Sequence, residues 1–594
     1  QAAPFLAAHP AGRAAMAGAA GPGGNAPCVP PGGEPDLAEL ECMLQTLREP
    51  QRRAALGLIG TAIGDAVGLP FELNVHRRNR VKCDSVFEWA RPSLNAVEAT
   101  RCTVFVRTAI TGRMKSSIGT PFGRTYSDDT VCTDLKMMAV ANASEWLLAG
   151  KEAASATEAE QLLFRVLMQQ YLTWAHGAEG HLFQGTGGFT RELLLPRAGR
   201  RLSASVGAEL WERDRPGFEP TPAFLEFAQE QLAGSFPGGQ PSFGNGAVMS
   251  MTPQVILKRQ PQLHAGDERP CPEVLVQAHE VLSSTHQERT ALIAARLLSQ
   301  LLESAHAGLL PGCGDVAGAV ARGRCWQEEI LPLETAPEMY LHPIRPFAEF
   351  LETGGADCSP ETAQTYLEGL VGPADAKLRG ADRFGLMGEM LRLASNHDDI
   401  EQPDGPERLA VRDRPHELVR FSQRGLNTVL IAIWCAQGAT CCWDWLQRIL
   451  YVGGDADTIG AVAGQIACPL LEPSDVARTY AQFVALDDPE DTGSHPVNHA
   501  AARRFLRRAV LFAAGRWGEL RAARSTVDPA YEGLTDDSGL CLAHGRVRPP
   551  CRYGAECYQH SGSHMLRYAH PSDPDWPVRS PRHHGQPHGG RRRW

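Results

Sequence analysis

The chain has 594 residues, 43% of them hydrophobic, so it can bury one large core and still carry appendages. Its formal net charge of −10 excludes a protein that coats nucleic acid along its whole length. The 16 cysteines are scattered through apolar stretches, as at Cys132, Cys435 and Cys468, which excludes the disulfide framework of a small secreted domain and points to a reducing compartment.

Residues 1–48 are rich in Ala, Gly and Pro, with no acid before Glu34. Such a leader cannot bury a core and is expected to be disordered. The remnant of an organelle transit peptide is the alternative reading of so acid-poor a start. From residue 49 the signals are helical. Gly60-Thr61-Ala62-Ile63-Gly64-Asp65-Ala66-Val67-Gly68 offers small residues for a closely packed helix, which Pro70 is expected to end. Glu72 then falls on the loop beyond, its carboxylate free to move, while Asp65 reads as a hydrogen-bonding group inside the helix. Tyr126-Ser127-Asp128-Asp129-Thr130 sets carboxylates beside hydroxyls at a helix start, ahead of an apolar face at Val131, Leu135 and Met138. Thr157-Glu158-Ala159-Glu160 has capping-box form and opens onto Leu162, Leu163, Val166 and Leu167.

Segments near 195–240 and 305–420 are richer in Pro, Gly and charge and are expected to be surface insertions on a compact core, with short helices, which loop-closure entropy tolerates. Gln184-Gly185-Thr186-Gly187-Gly188 and the stretch from Gly238 to Gly246 are Gly-rich loops whose backbone amides can approach a diphosphate. Thr285-His286 precedes a helical face at Leu292, Ala295, Leu298, Leu301 and Leu302; further faces follow at Val429 and Ile433 and through Trp443, Trp445, Leu446 and Ile449. The longest apolar run, Thr428 to Ala436, is too short to cross a bilayer, so no membrane span is expected. Strand alternation is scarce, and the core is expected to be an all-α bundle.

Gly453-Gly454-Asp455-Ala456-Asp457-Thr458 repeats, far downstream, the pattern of carboxylates beside a hydroxyl at a helix start. Taken singly, Ser127 and Asp455 fit helix caps. Carboxylate and hydroxyl oxygens are also hard donors suited to Mg²⁺, Mn²⁺ or Ca²⁺, and the carboxylates of the two clusters exceed what capping requires. One site for two adjacent ions, closed by distant parts of the chain, is therefore expected.

With Gly244-Asn245-Gly246-Ala247-Val248-Met249 and Thr285-His286 between them, these blocks resemble, in their order, the ADP-ribosylglycohydrolase family. The resemblance implies a catalytic domain over residues 49–515, a fold of packed helices around a binuclear Mg²⁺ or Mn²⁺ site. It implies Ser127, Asp128, Asp129, Asp455, Asp457 and Thr458 as metal ligands, with Asp457 the expected bridge. Glu72, on a loop that allows motion into and out of the metal shell, would activate water or guard the site, and Asp129 is the second candidate for proton transfer. Ser242 and Asn245, flanking Gly244 in the Gly-rich loop, would contact phosphate or ribose; Phe243, with Phe236, would stack on adenine; His286 would lie near the phosphates or the distal ribose. The residue after Met249 is usually Arg in the family and is Ser250 here, so any ion pair made there is lost.

Beyond a linker expected at 516–545, Cys551 is followed by Cys557, His564 and His570 at gaps of five, six and five residues. Two thiolates and two imidazoles make a closed tetrahedral Zn²⁺ shell, and so short a segment needs the metal for its stability; His560 is a rival ligand. The spacing is not that of a groove-reading finger, and no sequence-specific nucleic-acid binding is expected. Through Arg548-Pro549-Pro550-Cys551, Tyr553-Gly554, Cys557-Tyr558 and His570-Pro571 followed by Asp573, residues 546–577 resemble a poly(ADP-ribose)-binding zinc finger. The resemblance implies that Tyr553 and Tyr558 cradle adenine and ribose and that Arg548 and Arg552 face phosphates. Gln559 stands where the family usually has a basic residue. Nine Arg against three acids from 546 to 594 make a local basic patch, ending in a tail, 578–594, expected to be disordered.

Together the resemblances imply a metal-dependent hydrolase of ADP-ribosyl O-glycosidic linkages in poly(ADP-ribose) or ADP-ribosylated proteins, with a tethered finger that holds the polymer. The alternatives are a mono-ADP-ribosyl-arginine or -serine hydrolase recruited by its finger, and a catalytically silent ADP-ribose-binding protein. Retention of the carboxylates and of Glu72 argues against the last. Two Mg²⁺ or Mn²⁺ ions, one structural Zn²⁺, a monomeric state and a nuclear or cytoplasmic location are expected.

Overall fold

Glycines one turn apart leave a groove down one side of a helix into which a second backbone can sink. The structure, a computed structural model, describes residues 37–72, 106–110, 125–149, 155–176, 222–230, 242, 244–264, 271–335, 341–374, 376–378, 384–396, 421–486 and 496–522. The helices that position the site are α1 (Leu37–Thr46), α2 (Glu49–Gly68), α3 (Asp128–Ala149), α4 (Ala156–His176) and α5 (Thr252–Lys258). They are joined by α6 (Arg289–His306), α7 (Gly425–Ala436), α8 (Cys442–Val452), α9 (Ala456–Ala467) and α10 (Pro496–Ala513). All belong to one unit that begins at Pro35. Among the described residues there is no strand, only an isolated antiparallel bridge between Gly244 and Arg424, and the fold is all-α.

At the centre α2 and α9 run antiparallel with their backbones in contact. Gly60 faces Gly464, Gly64 faces Gly460 and Gly68 faces Ala456, and a β-carbon at any of these glycines would overlap the backbone opposite. Ile59, Ile63, Val67, Ile459, Val462 and Ile466, all buried, fill the space around the contact. With its short continuation to Phe71, α2 is long and apolar enough to span a bilayer, yet nearly all of it is buried inside the protein, as a core helix is. Reading apolar runs alone picks out Thr428–Ala436 instead, because Gly, Thr and Asp interrupt the pattern of α2.

Side chains of this pair cap neighbouring helices. Asp65 on α2 accepts from the Ser127 amide at 2.8 Å and the Thr130 amide at 3.0 Å, at the start of α3. Gln465 on α9 accepts from the amides of Met251 and Thr252, both at 3.0 Å, at the start of α5. Its own amide donates to the carbonyls of Val248 (3.2 Å) and Met249 (2.7 Å). The first N–H groups of a helix lack intrahelical acceptors. Satisfying them from another helix fixes α3 and α5 against the central pair.

Three expectations are corrected. The capping box of α4 is formed by Ser155 with Glu158, upstream of Thr157 and Glu160: the Ser155 amide donates to Glu158 Oε2 (2.7 Å) and the Glu158 amide to Ser155 Oγ (3.2 Å). The earlier start brings Ala159 onto the buried face with Leu163, Val166 and Leu167. The described residues of the segment 305–420 form short helices that are not confined to the surface. Helices Val316–Arg322, Ile344–Glu352, Pro360–Val371 and Gly385–Asn396 bury Val316, Phe347, Phe350, Leu367, Met387 and Met390 in the common core. Apart from Glu389, which is buried against Arg392 and Tyr451, their charges sit on outer or half-exposed faces, so average composition hides the apolar stripe. The bundle also overruns the expected edges, since α1 buries Leu44 upstream of residue 49 and helix Trp517–Ala522 buries Trp517 and Leu520 beyond 515. Of the 195–240 segment, Pro222–Glu230 is described, with Ala228 buried. The leader before residue 37, the Gln184–Gly188 loop, the linker from 523, the finger and the tail lie outside the described residues.

Candidate metal centre

The antiparallel contact sets the C-terminal end of α2 beside the N-terminal end of α9, which brings Asp65 to Asp457. Asp129 arrives on the first turn of α3, the helix that Asp65 caps. Carboxylate oxygens of Asp65, Asp129 and Asp457 lie within 4.8 Å of one another, and so do those of Glu72, Asp455 and Asp457. Asp457 is common to both groups. Ser127 Oγ donates to Asp129 Oδ2 at 3.2 Å, Thr458 Oγ1 donates to the same oxygen at 3.5 Å, and Thr130 Oγ1 donates to Asp65 at 2.7 Å. The N-termini of α3 and α9 meet at this cluster, where their partial positive charge favours anions.

Asp65, Asp129, Asp455 and Asp457 are all buried. Burial, with the charge of Asp457 added, pushes Asp65 up to about 6. Burial first and neighbouring carboxylates second hold Asp129 and Asp455 well above the usual carboxylate range. Asp129 Oδ1 is buried without a hydrogen-bond partner. Carboxylates that raise one another's pKa around an orphaned oxygen lack positive charge, and an all-oxygen donor set of this kind fits hard divalent cations. Capping does not explain Asp455. It occupies the N-cap position of α9 without making a cap hydrogen bond, and its carboxylate receives the Asn245 amide at 2.6 Å. Asp128, half-buried, lies outside both tight groups and acts on Asp129 through its charge.

Glu72 follows the 3₁₀ turn Leu69–Phe71, in which Pro70 takes the second place. It is half-buried, and its carboxylate is drawn into the acidic group with Asp455 and Asp457 instead of hanging free on a loop. Asn245 opens a second 3₁₀ turn, Asn245–Ala247, and its side chain reaches Thr428 Oγ1 (3.3 Å) as well as Asp455, tying the Gly-rich turn to the acids. Ser242 Oγ accepts from the Gly244 amide at 3.4 Å. The His286 ring lies against Gly244 and Gly246, so close that a β-carbon at Gly246 would overlap it. Burial pushes this imidazole down to about 3, so it is neutral, and Nδ1 shares a hydrogen bond with Thr285 Oγ1 at 2.9 Å. Ser250 brings no charge, yet a cation reaches its carbonyl from α3: Lys136 Nζ donates at 3.2 Å.

Sequence reasoning missed the groups that hold Asp455. Its amide donates to Ser422 Oγ at 2.9 Å, and Thr428 Oγ1 donates to the Ser422 carbonyl at 2.7 Å. The available signal was the polar pair Asn427-Thr428 opening an otherwise apolar helix. Phe236 and Phe243 lie outside the described residues, as do the finger residues Arg548, Cys551, Arg552, Tyr553, Cys557, Tyr558, His564 and His570.

A PBZ domain model matches residues 548–573. No curated protein matches the chain. Among solved structures, one described as an ADP-ribosylglycohydrolase-related protein complex is 18% identical, with 78% of this chain and 100% of that chain covered and a TM-score of 0.32. An ADP-ribosylglycohydrolase model matches residues 46–487, which takes in Glu72 and every acid of the centre. The chain belongs to the ADP-ribosylglycohydrolase family.

Proposed function

We propose that the chain is a divalent-metal-dependent hydrolase of ADP-ribosyl O-glycosidic linkages, acting on poly(ADP-ribose) or polymer-modified proteins that its C-terminal finger captures. The observation that carries this reading is the pair of acidic groups sharing Asp457, in a chain of this family. Ser127, Asp128, Asp129, Asp455, Asp457 and Thr458 would hold two Mg²⁺ or Mn²⁺ ions, and ions of this kind orient ribose hydroxyls and polarise water.

The chain's own residues supply the rest. Glycosidic cleavage passes through an oxocarbenium-like state and needs a group to accept the proton of the attacking water. Glu72 suits that task because it combines a place in the acidic cluster with partial exposure. Asp129 is the second candidate, since burial keeps its proton affinity high. Asn245 orients Asp455 and brings the Gly244–Gly246 turn to the acids, while neutral His286 backs that turn. Ser242 and Asn245 toward phosphate or ribose, and Phe236 and Phe243 toward adenine, complete the ligand contacts. In the finger, Cys551, Cys557, His564 and His570 hold Zn²⁺, and Arg548, Arg552, Tyr553 and Tyr558 bind polymer. Tethering makes polymer capture intramolecular for the active site.

Incubation of the purified chain with poly(ADP-ribose), Ser-linked and Arg-linked substrates, with product analysis, tests the reading. Release of ADP-ribose from neither the polymer nor the Ser-linked substrate in Mg²⁺ or Mn²⁺ would sink it, and release from the Arg-linked substrate alone would favour a mono-ADP-ribosyl-arginine hydrolase instead. Glu72→Gln keeps the side-chain shape and removes the base. Hydrolysis should fall by roughly a hundredfold or more with ADP-ribose binding retained; turnover at the wild-type rate would reassign water activation to Asp129. Cys557→Ala should release Zn²⁺ and unfold the finger alone, because the segment has no core of its own. Cleavage of a small ADP-ribosyl substrate then persists, while binding to long polymer, measured with hydrolysis blocked by Asp457→Ala, weakens. Equal polymer binding with and without Cys557 would remove the finger from substrate capture.

A further inference from the structure

Lys136 is fully buried on α3, two turns beyond Asp129. Its ammonium donates to the Ser250 carbonyl at 3.2 Å, and among the described residues no carboxylate pairs with it. Beside it the Ser250 hydroxyl is buried without a hydrogen-bond partner. A buried ammonium that lacks a counter-ion is unfavourable, and a hydrocarbon side chain of the same length would avoid the cost.

The groups that face this charge supply no compensation. Cys132, one turn back on α3, is held as a neutral thiol by burial. Tyr171 on α4, hydrogen-bonded to Cys132, is held as a neutral phenol for the same reason. His286 is neutral, pushed down by burial first and by Lys136 second. The segment from Gly244 to Ser250 begins against the His286 ring and ends on the Lys136 ammonium. The cation thus acts by its charge on the imidazole that packs against the glycine turn, and no carboxylate among the described residues pairs with it.

We propose that Lys136 is a positioning charge for the diphosphate of ADP-ribose, drawing the anion to the Gly244-Asn245-Gly246 turn across the His286 ring and the Ser250 peptide without touching it. The inference rests on the ligand assigned under the proposed function. In a poorly polarisable interior, a charge acts over the width of a side chain with little screening. Burial pushes the ammonium down to about 8, so the charge is present at pH 7 and is lost toward pH 9.

Titration calorimetry on the metal-loaded full chain, with ADP-ribose and with adenosine as the phosphate-free ligand, tests this. In Lys136→Met the affinity for ADP-ribose should fall by roughly tenfold or more, with adenosine affinity unchanged. An ADP-ribose Kd within about twofold of wild type in a folded Lys136→Met overturns the proposal. Should that variant fail to fold, the wild-type protein decides. Its ADP-ribose affinity, taken relative to adenosine, must decline between pH 7 and pH 9, and a flat profile overturns the proposal equally. Absence of ADP-ribose binding by the wild type would overturn the hydrolase reading together with this inference, whereas a failure confined to Lys136→Met or to the pH profile overturns this inference alone.

Discussion

Asp457→Asn is expected to lower hydrolysis of ADP-ribosyl substrates by roughly a thousandfold or more, with helical circular dichroism unchanged. Asp457 is the residue common to both acidic groups, so its loss removes a donor from each, whereas loss of Asp65 or Asp455 touches one. The fold does not depend on its charge. In the metal-free chain Asp457 raises the pKa of Asp65, Asp129 and Asp455, so a neutral amide relieves repulsion at the ends of α2, α3 and α9. Thermal stability without metal should therefore hold or rise, while stabilisation by added Mg²⁺ or Mn²⁺ shrinks. Excess metal should not restore turnover. Near-normal rates would show that the acidic cluster is not the reaction centre.

Gly64→Ala is expected to cost roughly 3 kcal/mol of stability and, through the site, most of the activity. The added methyl would overlap the Gly460 carbonyl, and backbone held in two helices cannot swing aside as a side chain can. Separating α2 from α9 also moves Asp65 and Glu72 away from Asp457. Gly57→Ala is the control on the same helix. There a β-carbon meets the His306 ring at 3.3 Å and side-chain atoms of Pro469 and Thr252 at 3.4 Å, which can yield, and the helix gains up to about 1 kcal/mol from replacing glycine. The two variants should differ widely in denaturation midpoint; equal midpoints would mean that the helix contact is looser than it stands here.

The acidic clusters were legible in the sequence because their chemistry is concentrated in short blocks, and too many carboxylates for capping pointed to a shared metal site. Asp65 was read as a hydrogen-bonding group, which its contacts with Ser127 and Thr130 bear out, but its closeness to Asp457 follows from the α2–α9 contact, which no local pattern records. The direction of the Asn245 amide was equally hidden, since Asp455 and Thr428 come to it from far along the chain. Composition misled over 305–420, where Phe347 and Phe350 anchor an amphipathic helix whose outer face carries the charge. It misled in detail at α4, where Ser155 and Thr157 both head a capping pattern and the buried face decides between them.

Asp129 and Thr458, which meet through a hydrogen bond, lie 329 residues apart in the chain. Helices form from local contacts early, whereas a pairing of such separation must first close a very long loop. During synthesis α2 and α3 emerge with their acids long before α9 exists, and the glycine face of α2 waits without its partner. The centre is thus a test of completion: an interrupted chain that ends before Asp455 carries Asp65 and Asp129 but lacks Asp455, Asp457 and Thr458, and is expected to expose an apolar helix open to aggregation or a chaperone. On the proposed function, a half-made copy should be silent toward substrate and conspicuous to quality control.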